Sequence, residues 1–366
     1  MKSLLNHAIM LCLSLSFATQ ATAQNQEVTM PGSQVFQFTS AINGHEYDLQ
    51  LSLPASYKDS VGKRYPVVYL LDGQWSYPTV TGLVGGLQYD GELPEIILVG
   101  IAFRKDYETS RAMDFSPTKV KDDPNTGGGP LFLQVLKNEI VGRVDSMYRT
   151  DKNMDALCGG SYGGLFVLYA MFNEPELFSR YHVGSPYLNF DNGMIMKLEQ
   201  KFRKSHSQLN ARIFFCSGEF EEIYYHKSDL SSFVEQIQRS NYSGAEIRRY
   251  TVPEMGHASS GPYASQRALQ FFYGRPVANL TSTVLDQYTG RYKSSMDTTL
   301  MTQKDNNLFL QVSPGMKLKL IAENSDHFYS KGLSGRLTMD KNNKGKVTGY
   351  TVVVPAMGTM SYTKME

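Results

Sequence analysis

Six residues constrain this chain more than any others: Gly159-Gly160-Ser161-Tyr162-Gly163-Gly164. The run Asn153-Met-Asp-Ala-Leu-Cys158 before them suits a short strand, and Leu165-Phe-Val-Leu-Tyr-Ala-Met-Phe172 after them suits a buried helix. A glycine-flanked serine between strand and helix implies a sharp, strained turn that lifts the serine hydroxyl clear of the sheet. Glycines at 159 and 163 leave no Cβ where the two backbones converge. A nucleophile elbow of this kind needs a parallel sheet covered by helices, and the rest of the chain can be checked for one.

Residues 35–40 and 46–53 alternate apolar and polar around Asn43-Gly44, the pattern of an opening hairpin. Residues 66–72 and 95–103 are continuous apolar runs, as expected of strands buried on both faces. Further strands are expected at 180–183, 212–217 and 246–252, alternating with helices at 131–148, 192–205, 229–240 and 261–273. Residues 104–130 are charged and rich in proline and glycine, and read as a long loop over the strand ends. This is an α/β chain with a mainly parallel sheet flanked by helices. Past Gly274-Arg275-Pro276 the pattern changes to short strands with turns at Asn306-Asn307, Pro314-Gly315 and Asn342-Asn343. Residues 277–366 are therefore expected to form a small all-β barrel or sandwich, and residues 24–276 the α/β domain.

Residues 1–23 have the form of a cleavable leader: Lys2, a short apolar segment, then Ala21-Thr22-Ala23. That predicts export to the periplasm or beyond, with the cut after Ala23. No lipid anchor is expected at Cys12, and no later segment is apolar enough to span a membrane. Of the cysteines left, Cys158 and Cys216 are expected on strands with another strand between them, too far apart for a disulfide. The net charge of +1 offers no electrostatic preference for nucleic acid. Zinc-type spacing and a Walker loop are both missing, so neither metal nor cofactor is expected. Nothing in the sequence specifies an oligomeric state.

A serine hydroxyl becomes a useful nucleophile only with a base beside it and an acid behind the base. In elbow folds those partners follow in the order serine, carboxylate, histidine, at the carboxyl ends of strands. Elimination leaves His257, just after the last strand of the sheet. Gly218-Glu219-Phe220-Glu221-Glu222 follows the strand at 212–217 and offers three carboxylates. Glu221 has room to turn back toward His257, Glu219 is its rival, and Glu222 is expected to face solvent. The oxyanion would be held by the backbone N–H groups of Tyr162 and Gln74. Trp75, Arg111 and Ser185 are candidate substrate contacts.

Tyr69-Leu-Leu-Asp-Gly73, Asp114-Phe-Ser-Pro-Thr118, the elbow, Pro175-Glu-Leu-Phe178, Gly184-Ser-Pro186 and Gly256-His257 resemble motifs of the esterase D-like family of α/β-hydrolases. Within it the chain looks closest to siderophore esterases that cut catecholate trilactones, across about residues 30–275. The resemblance implies an α/β-hydrolase fold and a Ser–His pair with a carboxylate of variable importance. It also implies basic residues facing acidic phenols, for which Arg104, Lys105 and Arg111 are available. Tyr288-Thr-Gly-Arg-Tyr292 resembles the opening of a small β-domain appended to secreted serine hydrolases. The expected activity is hydrolysis of a carboxylic ester, small or glycan-linked: a siderophore, feruloyl or acetyl ester, or a thioester. The competing readings are a glycan- or lipid-binding protein on a hydrolase scaffold and a serine peptidase.

Overall fold

Eight strands make the sheet that carries the elbow: β1 (Ser33–Thr39), β2 (Glu46–Ser52), β3 (Val67–Leu70), β4 (Ile97–Phe103), β5 (Ala156–Gly160), β6 (Arg180–Gly184), β7 (Arg212–Gly218) and β8 (Glu246–Val252). The computed structural model describes residues 29–221, 228–331, 333–354 and 358–366, so the leader lies outside the described residues. Strand order is β1-β2-β4-β3-β5-β6-β7-β8. Strand β2 pairs antiparallel with both β1 and β4, and β4, β3 and β5 to β8 run parallel. Every residue of β3 and β4 is buried, the two-sided burial that their apolar runs require.

The helices are α1 (Gly73–Tyr89), α2 (Tyr107–Phe115), α3 (Gly129–Gln134), α4 (Gly142–Met147), α5 (Tyr162–Asn173), α6 (Met194–Ser205), α7 (Ser228–Arg239), α8 (Gly261–Tyr273) and α9 (Ser282–Asp286). A π-helical stretch, Val135–Val141, joins α3 to α4. The expected long loop at 104–130 is corrected: Tyr107–Phe115 within it is α2, and α3 begins at Gly129. Tertiary contacts fix that helix. Arg111 reaches Asp72 at the start of α1, and the buried Asp114 binds Asn43, His45 and Tyr47 of the opening hairpin. Helix α5 follows the serine and is buried along nearly its whole length, which its almost uniformly apolar sequence permits.

The C-terminal part is a closed barrel, which decides between the two expected forms. Its strands are β9 (Gly290–Lys293), β10 (Thr298–Lys304), β11 (Asn307–Ser313), β12 (Met316–Ala322), β13 (His327–Ser330), β14 (Leu333–Lys341), β15 (Val347–Val354) and β16 (Gly358–Lys364). Closure comes from β9, which pairs with β10 on one side and β16 on the other. Tyr288, Tyr292, Phe328 and Tyr350 fill its core. Gly32–Glu366 form one compact unit. The segment that follows α8 is tied to the barrel by Arg275 to Glu323 at 2.7 Å and by the Ala278 amide to the Ala322 carbonyl at 2.8 Å.

Candidate active site

Ser161 has φ 58° and ψ −120°, a conformation that costs an L-residue about 1–3 kcal/mol. Backbone bonds hold it there. Its N–H donates to Gly184 O at 2.9 Å, and its carbonyl accepts from Leu165 at 3.0 Å and Tyr187 at 3.2 Å. The steric reason for the glycines is sharper than the sequence suggested. A Cβ on Gly159 would lie 2.6 Å from Gly163 O, and one on Gly164 would lie 2.8 Å from Gly184 O. A Cβ on Gly163 would meet nothing nearer than 3.5 Å. Gly159 and Gly164, not Gly163, are the positions without room.

The carboxyl ends of β5, β6 and β7 open into a cavity of about 380 Å³. Ser161, His257, Ser185, Arg111 and Trp75 all line it. Gln74 and Tyr162 lie one residue from lining positions, in the first turns of α1 and α5. Their amides have no backbone acceptor among the described residues, as expected of the first N–H groups of a helix. Helix N-termini of this kind favour negative charge.

Behind the histidine stands Glu221, buried, with Oε2 2.7 Å from His257 Nδ1. Its Oε1 accepts from Ser185 Oγ at 2.7 Å and from the Gly218 amide at 2.6 Å. Burial alone would raise this carboxyl. The hydrogen bonds from His257, Ser185 and Gly218 outweigh it and hold the group below the usual value of 4.5. Glu219 is engaged elsewhere, accepting from the Glu254 amide at 2.7 Å. Glu222, the third carboxylate of the loop, lies outside the described residues.

Because the folded value of Glu221 is depressed, its contribution to stability is complete above the unfolded value near 4.5 and lost as pH falls through the folded one. The Tm advantage of wild type over Glu221→Gln should be constant at neutral pH and shrink in acid. A gap that does not narrow below that value contradicts the assignment.

Gly218 explains how the histidine comes so close. A Cβ there would sit 2.4 Å from Met255 O and 2.6 Å from Gly256 O, so the bare end of β7 lets the His257 loop lie directly on it. Gly218→Ala should displace that loop and lower kcat/KM about 10²-fold in a folded protein. Wild-type activity in a folded Gly218→Ala variant would show that the contact does not position His257.

Two residues read as substrate contacts have their polar groups committed to the protein. Ser185, at φ 38°, donates its hydroxyl to Glu221. Arg111 grips Asp72 with both prongs, Nε to Oδ1 at 2.6 Å and Nη2 to Oδ2 at 2.8 Å. That pair, with Tyr107 also donating to Asp72 at 3.2 Å, braces the turn before Gln74. Asp72 is the residue to which sequence reasoning gave no role, although Tyr69-Leu-Leu-Asp-Gly73 was in view as a motif. Trp75 remains available: it is 67% exposed and its ring sits 5.2 Å from that of Tyr107 at the cavity mouth. Arg104 and Lys105, read as facing acidic phenols, are paired with Glu46 at 3.2 and 2.6 Å.

The cavity also touches Cys158, His182 and Cys216. Burial pushes both thiols up to about 12 and His182 down to about 4, so all three are uncharged near neutrality. A protonated thiol is a weak nucleophile, which leaves the serine. Strand β6 runs between the cysteines, and both are free.

Residues 40–255 match the family model described as "Putative esterase". Among characterised proteins the chain is 27% identical over 269 residues to ferri-bacillibactin esterase BesA of Bacillus subtilis, covering 66% of this chain and 90% of that one. It is 26% identical to the siderophore triacetylfusarinine C esterase of Aspergillus fumigatus, covering 50% and 66%. The crystal structure of BES protein from Bacillus cereus superposes with a TM-score of 0.60 at 24% identity, covering 69% of this chain and 98% of that one. An IroE-like serine hydrolase from Shewanella oneidensis gives 0.59 at 24% identity, covering 65% and 79%. The barrel from Gly290 onward lies beyond the family match. With more than half of its length matched, the chain belongs to this esterase family, as a serine esterase related to the siderophore esterases.

Proposed function

We propose that the protein hydrolyses a carboxylic ester through an acyl-enzyme on Ser161. The observation that carries the reading is the 2.7 Å contact of His257 Nδ1 with buried Glu221, in a histidine that shares a cavity with a strained, elbow-borne serine. Glu221 keeps the Nδ1 proton in place, so Nε2 is the nitrogen that acts as base. Nε2 takes the Ser161 proton as Oγ attacks the carbonyl, and returns it to the leaving alcohol. Water then repeats the sequence and frees the acid. The amides of Gln74 and Tyr162 carry the oxyanion in both steps. Residues 24–276 do this chemistry after export and cleavage following Ala23. The barrel of residues 277–366 has an accessory role.

The relatives are named for siderophore esters, and an ester of that class is the first substrate to test. The cavity narrows the choice. Arg111 is the one Lys or Arg among its described lining residues, and it is held by Asp72. Most of the lining is apolar or uncharged, from Leu71 and Val80 to Pro262 and Ala264. Such a site suits an uncharged acyl group better than an anionic iron–catecholate rim. Comparing kcat/KM for p-nitrophenyl butyrate, a feruloylated saccharide and a trilactone siderophore with and without iron tests this. The iron-free lactone should be cleaved at least about tenfold faster than the ferric one. A preference for the ferric form would overturn the reading of the cavity, and no turnover of any ester would overturn the function.

A further inference from the structure

A second and larger concavity lies between the sheet and the barrel, about 1130 Å³ in volume. One wall is formed by β7, β8 and the last turns of α8, the other by β12 and β13, with residues 274–280 between them. Clefts where two packed layers meet are common places for ligands. Helix α8 links this cleft to the ester site. Pro262 and Ala264 at its start line the first cavity, while Arg267 and Phe271 near its end line the second. At 1.5 Å per residue, Pro262 in the first cavity and Phe271 in the second lie about 14 Å apart along the helix.

The charge of the cleft does not match that of the chain. The protein has 36 basic and 35 acidic residues, yet the cleft is lined by six Lys or Arg side chains and one carboxylate, Glu92. Glu92 is already engaged, accepting from Gln270 at 2.6 Å and lying 3.8 Å from Lys331. Among the described residues Arg248, Arg267, Lys317 and Lys319 have no carboxylate partner. All four are exposed. Like charges gathered in one concavity repel each other and create a field that an anion relieves.

The arrangement also indicates what kind of anion. The cations are spread along both walls: Lys317 and Lys319 sit at alternate positions of β12, about 6.8 Å apart along the strand, and Arg248 opposes them from β8. A ligand with one phosphate would need convergent donors, whereas this spacing suits oxyanions repeated along a chain. Nucleic acid is less well served. Phe271 and Tyr329 are buried and already have Arg248 and Arg275 over their rings at 4.5 Å, so they offer no platform for bases. Asn279 and Asn306 on the rim are exposed and bring neutral amides suited to hydroxyl groups.

We infer that the cleft between sheet and barrel is a binding site for a linear glycan carrying carboxylate groups, separate from the ester site. The inference does not depend on which ester Ser161 cleaves. It assigns the barrel a task, since half of the unpaired cations belong to β12.

The test is fluorescence anisotropy of the full protein with a labelled galacturonate oligosaccharide, at low and at high salt. Wild type should bind at low salt and release the probe as salt rises. The double variant Arg248→Ser/Lys319→Ser should bind at least about tenfold more weakly. It should hydrolyse p-nitrophenyl butyrate at the wild-type rate, because both side chains are exposed and lie outside the ester cavity, and stay folded with a Tm lowered by no more than a few degrees through loss of the Arg248 contact with Phe271. The inference is overturned if wild type does not bind the probe or if the variant binds it equally well. Equal affinity for the methyl-esterified oligosaccharide or for oligothymidylate would also overturn it.

Discussion

Replacing Ser161 with alanine is expected to lower kcat for p-nitrophenyl butyrate by about 10⁴- to 10⁶-fold. The fold should survive. The Ser161 hydroxyl caps no helix, and the backbone bonds that fix the elbow do not involve it. The left-handed φ stays as costly for alanine as for serine, so the Tm should move by no more than a few degrees. What disappears is the half-buried hydroxyl at the elbow, which shares the cavity with His257. The thiols of Cys158 and Cys216 cannot substitute, since burial keeps them protonated. Activity close to wild type in Ser161→Ala would remove the basis of the proposed function.

The second large effect is at His257. Glutamine there can still donate to Glu221 from its side-chain amide, which preserves the partner of a buried carboxylate. It cannot accept and return a proton. A fall in kcat of about 10⁴-fold or more is expected, with KM changed far less, because the loss falls on the transition state. A structural role would look different. It would appear as a lower Tm and a raised KM, with the chemical step nearly intact.

How much of this was legible beforehand follows from which contacts are local. The elbow was readable because its steric demands act within a few residues, from Gly159 to Gly164, although which glycine lacked room required the position of Gly184 O. His257 was reachable by chain order. The choice between Glu219 and Glu221 was not settled by sequence, since two carboxylates two residues apart in one loop look alike there. Three-dimensional contacts separate them: the Gly218 amide and Ser185 Oγ hold Glu221 against His257, while the Glu254 amide takes Glu219.

The protein partners of Ser185 and Arg111 were out of reach for a related reason. A hydroxyl or guanidinium near a pocket is assigned to substrate until its protein partner is seen, and here the partners are Glu221 and Asp72, 36 and 39 residues away in sequence. Helix α2 was hidden in the same way. Its stability rests on Arg111 and Asp114 reaching other elements rather than on a strong apolar stripe of its own. In the barrel, the pattern gave the turns at Asn306-Asn307, Pro314-Gly315 and Asn342-Asn343. It missed β9 and β16, whose pairing closes the ring, because short strands with mostly exposed residues carry little periodic signal.

The central claim is that Ser161 is a nucleophile made reactive by His257, and a fluorophosphonate probe measures that directly. Wild type should take up one probe, mapped by mass spectrometry to the peptide containing Ser161, at a rate that falls by orders of magnitude in His257→Gln. Labelling at another residue, or labelling of Ser161 at the same rate without His257, would contradict it.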